Sequence, residues 1–410
     1  MAGSISQIAD ENNKWRLETP GPNGWIRTAR PDDPNKYLMI SSDCHAGEPA
    51  NLWIDRIEKQ FRDRLPRVEV DENGVKWQVS EGWSKSRLLD VPVQGEDAIR
   101  MQAMMGDTGR RINDDQLDGV DAQIIFPNRG LMMWATPDPL FAQAQCRVFN
   151  DWAWETYGPH NHRLSPMAAI ATADIEGTMK EIERVAKMGF RGLTLPCKPV
   201  FGGHDSKHPN YNLPIYEPMW KLIEETRLPV TFHIGTGRDP RAARKDGGAV
   251  INYVSHALVQ AVEPVANMCA SGIIERHPSI QFAAIECGIG WVAWSLDAMD
   301  EAYRKHHMWA YPKLPKMPSD YFRSNGAASF QEDRVGLDLV VKYNLVDNVL
   351  WANDYPHHEG SWPHSAQAIE RQMAHLTDAQ RAKILGENAE RIFKFDGKAL
   401  LAAHRKRLSN

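Results

Sequence analysis

Tyr37-Leu38-Met39-Ile40-Ser41-Ser42-Asp43-Cys44-His45 is a short apolar run that ends on residues able to bind a metal. Three later runs end the same way. They are Leu228-Pro229-Val230-Thr231-Phe232-His233, Ile280-Gln281-Phe282-Ala283-Ala284-Ile285-Glu286 and Val349-Leu350-Trp351-Ala352-Asn353-Asp354. One strand ending in a potential ligand is ordinary. Four, separated by helical patterns, predict a parallel barrel whose strand tips converge on one polar site.

Working outward, eight strand candidates appear in order: 38–43, 122–126, 166–171, 192–195, 229–233, 280–286, 321–325 and 349–354. They are short and do not alternate, as suits strands buried on both faces. Helical patterns fall between them. Thr178–Met188 sets Ile182, Val185 and Met188 on one face, with Gly189 as a stop. Ile215–Glu225 and Val254–Ile274 also read as helices. The expected fold is therefore α/β, a (β/α)₈ TIM barrel over 37–400, with an N-terminal arm at 1–36 and a tail at 401–410. The first crossover is far longer than a βαβ unit needs. It contains Asn73-Gly74 between alternating segments, a two-residue hairpin signal. An inserted subdomain after strand 1, at about 50–112, is expected over the catalytic face. His306–Ser319, rich in Pro, Lys and Met, reads as a second rim loop, and Ala366–Phe393 as closing helices.

The chain has 410 residues, is 42% hydrophobic and carries a net charge of -5, enough for a large core and without a basic footprint for nucleic acid. No apolar run approaches the ~20 residues of a membrane span. Five cysteines without a C-x-x-C pair, and an N-terminus lacking the regions of a signal peptide, point to a reduced, cytoplasmic setting. The arm suggests packing on a neighbouring subunit, hence a homo-oligomer, with a hetero-oligomer as the alternative.

Asp43 and His45 are two apart and share one side of a strand. His233 closes a strand and enters Ile-Gly-Thr-Gly, where glycines let substrate approach the backbone. Glu286 follows mostly apolar residues, so its carboxylate needs a metal, an arginine or a proton. Asp354 can ligate an ion or accept a proton from water. His357 and His358 follow, placed for substrate contact or a further ion. Asp43, His45, His233, Glu286, Asp354 and His357 form the candidate metal set, with Asp354, His233 and Glu286 as catalytic candidates. Two imidazoles and two or three carboxylates suit Zn²⁺, Mn²⁺ or Fe²⁺. Arg129, Trp134, Lys198, Trp291 and His358 are the candidate substrate contacts, with Arg163 and Arg238 as further cations near strand ends. Cys44 and Cys287 alternate away from the ligands and read as core.

These motifs resemble the amidohydrolase-related family, the branch that includes aminocarboxymuconate-semialdehyde and γ-resorcylate decarboxylases. The resemblance runs from about 37 to 395 and rests on Ser-Ser-Asp-Cys-His, Gly-Val-Asp-Ala-Gln (119–123) and Phe-Arg-Gly-Leu (190–193). It rests also on Thr-Phe-His-Ile-Gly, Ser-Gly-Ile-Ile-Glu-Arg-His-Pro (271–278), Glu-Cys-Gly-Ile-Gly-Trp-Val, Trp-Ala-Asn-Asp-Tyr-Pro-His and Gly-Glu-Asn-Ala (386–389). It implies a (β/α)₈ barrel binding Zn²⁺ or Mn²⁺ through Asp43, His45, His233 and Asp354. It also implies hydrolysis or cofactor-free decarboxylation, with a few dinuclear Fe/Mn relatives. One departure stands out: decarboxylases of this branch carry a histidine at the sixth strand tip, where this chain has Glu286.

The leading expectation is a metal-dependent hydrolase acting on a small aromatic or carboxylate-bearing substrate through an activated water. The alternatives are a non-oxidative decarboxylase, a dinuclear Fe/Mn oxygenase holding a second metal ion, and a non-catalytic metal-binding subunit of a hetero-oligomer.

Overall fold

The structure, a computed structural model, describes residues 14–83, 85–88, 93–199, 210–236 and 246–409. Twelve strands appear among them. β1 is Ile40–His45, β2 Arg67–Val70, β3 Lys76–Val79, β4 Ser86–Arg87, β5 Ala122–Phe126 and β6 Leu164–Pro166. β7 is Ala168–Ala169, β8 Leu193–Leu195, β9 Val230–His233, β10 Phe282–Ile285, β11 Gly326–Phe330 and β12 Val349–Trp351. β1–β5–β6 and β7 through β12 pair in parallel and in sequence order. Only Met167 separates β6 from β7, and its amide donates to Ile125 O at 2.9 Å, so the two make one barrel strand. Asp354 N to Asp43 O (3.0 Å) and His45 N to Tyr355 O (2.8 Å) close the ring between the eighth strand and the first. The fold is a (β/α)₈ barrel.

Alternate residues of each strand enter different cores. Ile40, Ile124, Ala283, Ile285, Ala327 and Leu350 form an inner cluster, continued by Ile392 and Phe393. Phe232, Phe282, Ala284, Phe330 and Trp351 belong to the larger outer cluster with helix residues such as Ile182, Val185 and Trp220. Both strand faces are buried, which is why the runs do not alternate in polarity.

The helix expected at 178–188 spans Ile175–Met188, capped by the Asp174 carboxylate and stopped by Gly189 at φ 105°. The helix expected at 254–274 is broken into a π turn over Asn252–Ala257, a 3₁₀ turn and the helix Val262–Ala270. Two expectations are corrected outright. Residues 321–325 lie in the helix Pro318–Asn325, and the seventh barrel strand is the following Gly326–Phe330. The loop 306–317 joins the helix Gly290–Lys305 to that helix ahead of β11. It therefore connects toward a strand's N-terminal end, the face opposite the ligand-bearing tips.

Between β1 and β5, β2–β3–β4 form a small antiparallel sheet, followed by the helices Gly95–Met104 and Thr108–Asp118. The hairpin at 73–74 exists, but its loop has three residues. Asp71 N donates to Val75 O, Gly74 N to Asp71 O, and Gly74 takes φ 77°. That is a turn followed by a left-handed glycine. No helix among the described residues is long and apolar enough to cross a membrane.

Candidate metal centre

Most of the candidate ligands reach the mouth of the barrel by a local backbone device, and His233 by plain alternation. On β1 the pairing register shifts between Ser41 and Cys44. Ile40 belongs to the inner cluster, so plain alternation would send Asp43 and His45 outward. The irregularity switches the face, and Cys44 joins an outer cluster instead. On β9, Val230 and Phe232 are outer residues, which leaves His233 pointing inward. Ile285 is inner, so Glu286 needs a turn of the chain to follow it, and its φ of 59° supplies one. Asp354 sits at φ 52°. Left-handed backbone costs a non-glycine residue of order 1–3 kcal/mol, and two of the five such residues among those described, Glu286 and Asp354, hold carboxylates of this site.

The side chains converge. His45 Nε2 lies 3.6 Å from Asp43 Oδ1, 3.4 Å from Asp354 Oδ1 and 3.9 Å from Glu286 Oε2. His233 Nε2 lies 3.4 Å from Asp43 Oδ1 and 3.3 Å from Glu286 Oε2. His357 stacks on His45 with ring centroids 3.9 Å apart, and its Nδ1 is 3.2 Å from Asp354 Oδ1. Two overlapping groups thus suit an ion: Asp43, His45, His233 and Glu286, and His45, Asp354 and His357.

The tautomers are set from behind. His45 Nδ1 is 2.9 Å from the Pro127 carbonyl, and His233 Nδ1 is 2.7 Å from the Ile234 carbonyl. A carbonyl accepts, so both Nδ1 atoms carry the proton and both Nε2 lone pairs face the cluster. Asp43 Oδ1, His45 Nε2, His233 Nε2 and both Asp354 carboxylate oxygens are buried without a hydrogen-bond partner. Buried polar atoms are rarely left so, and five together are costly unless a cation sits among them. The residues present therefore fit a divalent ion of the Mn²⁺ or Zn²⁺ kind.

Electrostatics agree. Burial, then the charge of Asp354, pushes the Glu286 carboxyl well above the usual range. Burial, then Asp43, does the same to Asp354. Burial, followed by His357 and His233, pushes His45 well below its ordinary value. For His233, burial opposes protonation, but Asp43 and Glu286 outweigh it and the pKa rises. Three carboxylates crowded out of water want positive charge.

Several supporting residues escape sequence reasoning. Gln331 Nε2 donates to Asp43 Oδ2 at 3.3 Å. The helix Thr108–Asp118 grips both strand tips. Arg111 donates to the His45 carbonyl and to Gln123 Oε1, Asp114 accepts from Tyr355 Oη at 2.8 Å, and Asp118 accepts from Asn353 Nδ2 at 3.0 Å. Arg16, from the N-terminal segment, donates to the carbonyls of His358 and Gly360.

The expected substrate contacts fare differently. Trp134 is buried with Nε1 donating to Ile170 O, and Trp291 Nε1 donates to the Cys287 and Gly288 carbonyls; both are occupied in packing. Lys198 pairs with Glu263 at 3.2 Å. His358 is 72% exposed and pairs with Glu359, away from the cluster. Arg129 follows Asn128, whose Oδ1 is 3.3 Å from His357 Nε2. Arg163 lines a cleft with Asp121, Asp396 and His404, remote from the strand tips. Arg238 lies outside the described residues. Cys44 and Cys287 are buried, as expected.

A family model described as amidohydrolase matches residues 85–395. The gamma-resorcylate decarboxylase of Rhizobium sp. (strain MTP-10005) is 26% identical over 298 residues, covering 68% of this chain and 84% of that protein. Among solved structures, an amidohydrolase from Mycobacterium avium subsp. paratuberculosis K-10 matches with a TM-score of 0.70 at 19% identity, over 87% of this chain and 98% of that one. The 5-carboxyvanillate decarboxylase of Novosphingobium aromaticivorans DSM 12444, solved with bound manganese, matches with a TM-score of 0.63 at 17% identity, over 88% and 97%. At such identities the structural likeness speaks for the fold.

Proposed function

The chain belongs to the amidohydrolase family, and from that premise we propose that it is a metal-dependent carboxy-lyase removing CO₂ from an aromatic carboxylate. The observation that carries a metal-dependent reaction is the set of five buried, unpartnered ligand atoms on Asp43, His45, His233 and Asp354. The choice of decarboxylation over hydrolysis, the first expectation from the sequence, is supported by the activities named for the relatives.

Asp43, His45, His233 and Asp354 would hold the ion, which when bound supplies Lewis acidity and positive charge to a substrate carboxylate. The remaining work falls to the chain. Aryl–CO₂⁻ plus a proton gives aryl–H plus CO₂, so a proton must reach the ring carbon as the carbon–carboxyl bond breaks. Glu286 is the group we assign to deliver it: its side chain is 10% exposed where those of Asp43 and Asp354 are fully buried, so of the three it has the most access to solvent. The bond electrons stay on the ring carbon and take that proton, CO₂ leaves, and the Glu286 carboxylate is reprotonated from water. His357, stacked on His45 and beside Asp354, fixes both ligands.

Protein loaded with Mn²⁺ is to be mixed with a panel of ortho-hydroxybenzoates in D₂O without O₂. The expected result is CO₂ release with one deuterium at the vacated ring position. Incorporation of ¹⁸O from water into product, or a requirement for O₂, would sink the assignment in favour of hydrolysis or oxygenation.

A further inference from the structure

A second cleft, of about 860 Å³, lies between the inserted segment and the turn that follows β5. Its walls come from Trp53 and Ile54, from Leu65 and Val68, and from Met132 and Met133. The volume falls in the range that small-molecule sites occupy. None of these residues belongs to the metal centre.

The charge at the rim is one-sided. Arg62, Arg67 and Arg129 line the cleft against one carboxylate, Asp63. Arg67 is engaged by Glu69 at 2.5 Å. Among the described residues the Arg62 guanidinium makes one long bond, Nε to Ile57 O at 3.5 Å. Among the described residues neither Arg62 nor Arg129 has an acidic partner at ion-pair distance. Two unneutralised guanidiniums beside an apolar wall match a ligand with an apolar body and a carboxylate head.

The turn holding Arg129 is built to stay in place. The buried Glu48 carboxylate accepts from the amides of Asn128 (2.8 Å), Arg129 (3.2 Å) and Gly130 (3.2 Å). On the far wall Trp53 Nε1 donates to Gln145 O at 3.1 Å. A ligand binding here would meet preorganised walls and need order only the two arginine side chains.

We propose that this cleft is a binding site for an aromatic carboxylate, held through Arg62 and Arg129 and separate from the metal centre. The assignment does not depend on the reaction catalysed.

Equilibrium dialysis with 2-naphthoate, and with neutral 2-naphthamide as control, tests it on the metal-loaded protein. Naphthoate is expected to bind and naphthamide to bind at least tenfold more weakly. The double variant Arg62→Gln, Arg129→Gln is expected to lose that preference, and Met132→Trp, which fills the cleft, to block both. Asp354→Asn, which alters the metal centre instead, is expected to leave cleft binding unchanged. Circular dichroism melting of each variant separates lost binding from lost fold. Naphthoate binding abolished by Asp354→Asn and untouched by the arginine and Met132 substitutions would overturn the proposal. So would no measurable binding at millimolar ligand.

Discussion

The amide of Asp354 donates to the carbonyl of Asp43 across 3.0 Å, so one backbone bond both closes the barrel and brings two carboxylates of the site together. His45 N to Tyr355 O, at 2.8 Å, repeats the pattern one step along. Barrel closure and construction of the metal centre are therefore the same contact, and whatever sits among those side chains is linked to the stability of the whole fold.

That linkage gives the first prediction. Asp354→Asn keeps the backbone bond and alters a proposed ligand whose two oxygens lack partners. In the wild type, chelation should lower Tm and Mn²⁺ should restore it, by about 4 kcal/mol of stability at a thousandfold excess over Kd. In Asp354→Asn the Tm should ignore Mn²⁺. The metal-free variant should also melt no lower than the metal-free wild type, because the repulsion from Asp43 is gone. Calorimetry with and without chelator measures both. An equal Mn²⁺ response in the two proteins would remove Asp354 from the ligand set.

A second prediction concerns pH. Burial lifts the Asp118 carboxyl from 3.8 to about 6, although Ser365 and Asn353 donate to it. Its folded pKa lies above its unfolded one, so between roughly pH 4 and 6 the native state binds more protons. Stability contributed by this group must fall as pH rises through that window, by on the order of 3 kcal/mol. Asp118→Asn should be less stable at pH 4, having lost an acceptor, but its urea-derived stability should decline less between pH 4 and 6. Parallel pH profiles for the two proteins would show that Asp118 does not titrate there.

Why some of this was legible and some not follows from particular residues. The tips bearing His233, Glu286 and Asp354 announced themselves because an acid or imidazole after a buried run has few cheap fates. The seventh strand did not. Its core is Gly326-Ala327-Ala328, small residues with little strand signal, while the helix ahead of it carries Tyr321 and Phe322. A methyl group on Gly326 would collide with the rings of Phe322 and Phe282, so the position demands the residue that hides the strand. That misplacement also hid Gln331, which follows β11 at the tip and reaches Asp43. The face switch on β1 and the grip of Arg111, Asp114 and Asp118 on distant strand tips leave no trace in periodicity, because bonds spanning 66 to 241 residues have no local pattern.

Gly360 supplies a third prediction. A methyl there would run into Asn353 O and the Asp354 Cβ. Gly360→Ala should push Asp354 from its place without altering any ligand. Disturbing the support of a ligand typically costs ten- to a hundredfold in affinity, so Mn²⁺ Kd should rise at least tenfold while circular dichroism stays native. Unchanged affinity would mean the loop yields instead of Asp354.

The last prediction separates two roles for Glu286. Its carboxylate is 3.3 Å from His233 Nε2, close enough to bind an ion, yet it reaches the mouth of the site, where an acid would meet substrate. As the proton donor, Glu286→Gln should lower kcat by about 10²–10⁴-fold, the usual worth of a general acid, while metal content and KM stay near wild type. Glu286→His should recover part of that loss, because imidazolium can also deliver a proton and histidine tolerates the positive φ of 59° better than most residues. If Glu286 is a ligand, the Gln variant should instead lose metal in proportion to activity, and excess Mn²⁺ should restore both. Element analysis beside steady-state kinetics on the two variants decides between a proton carried and a metal held.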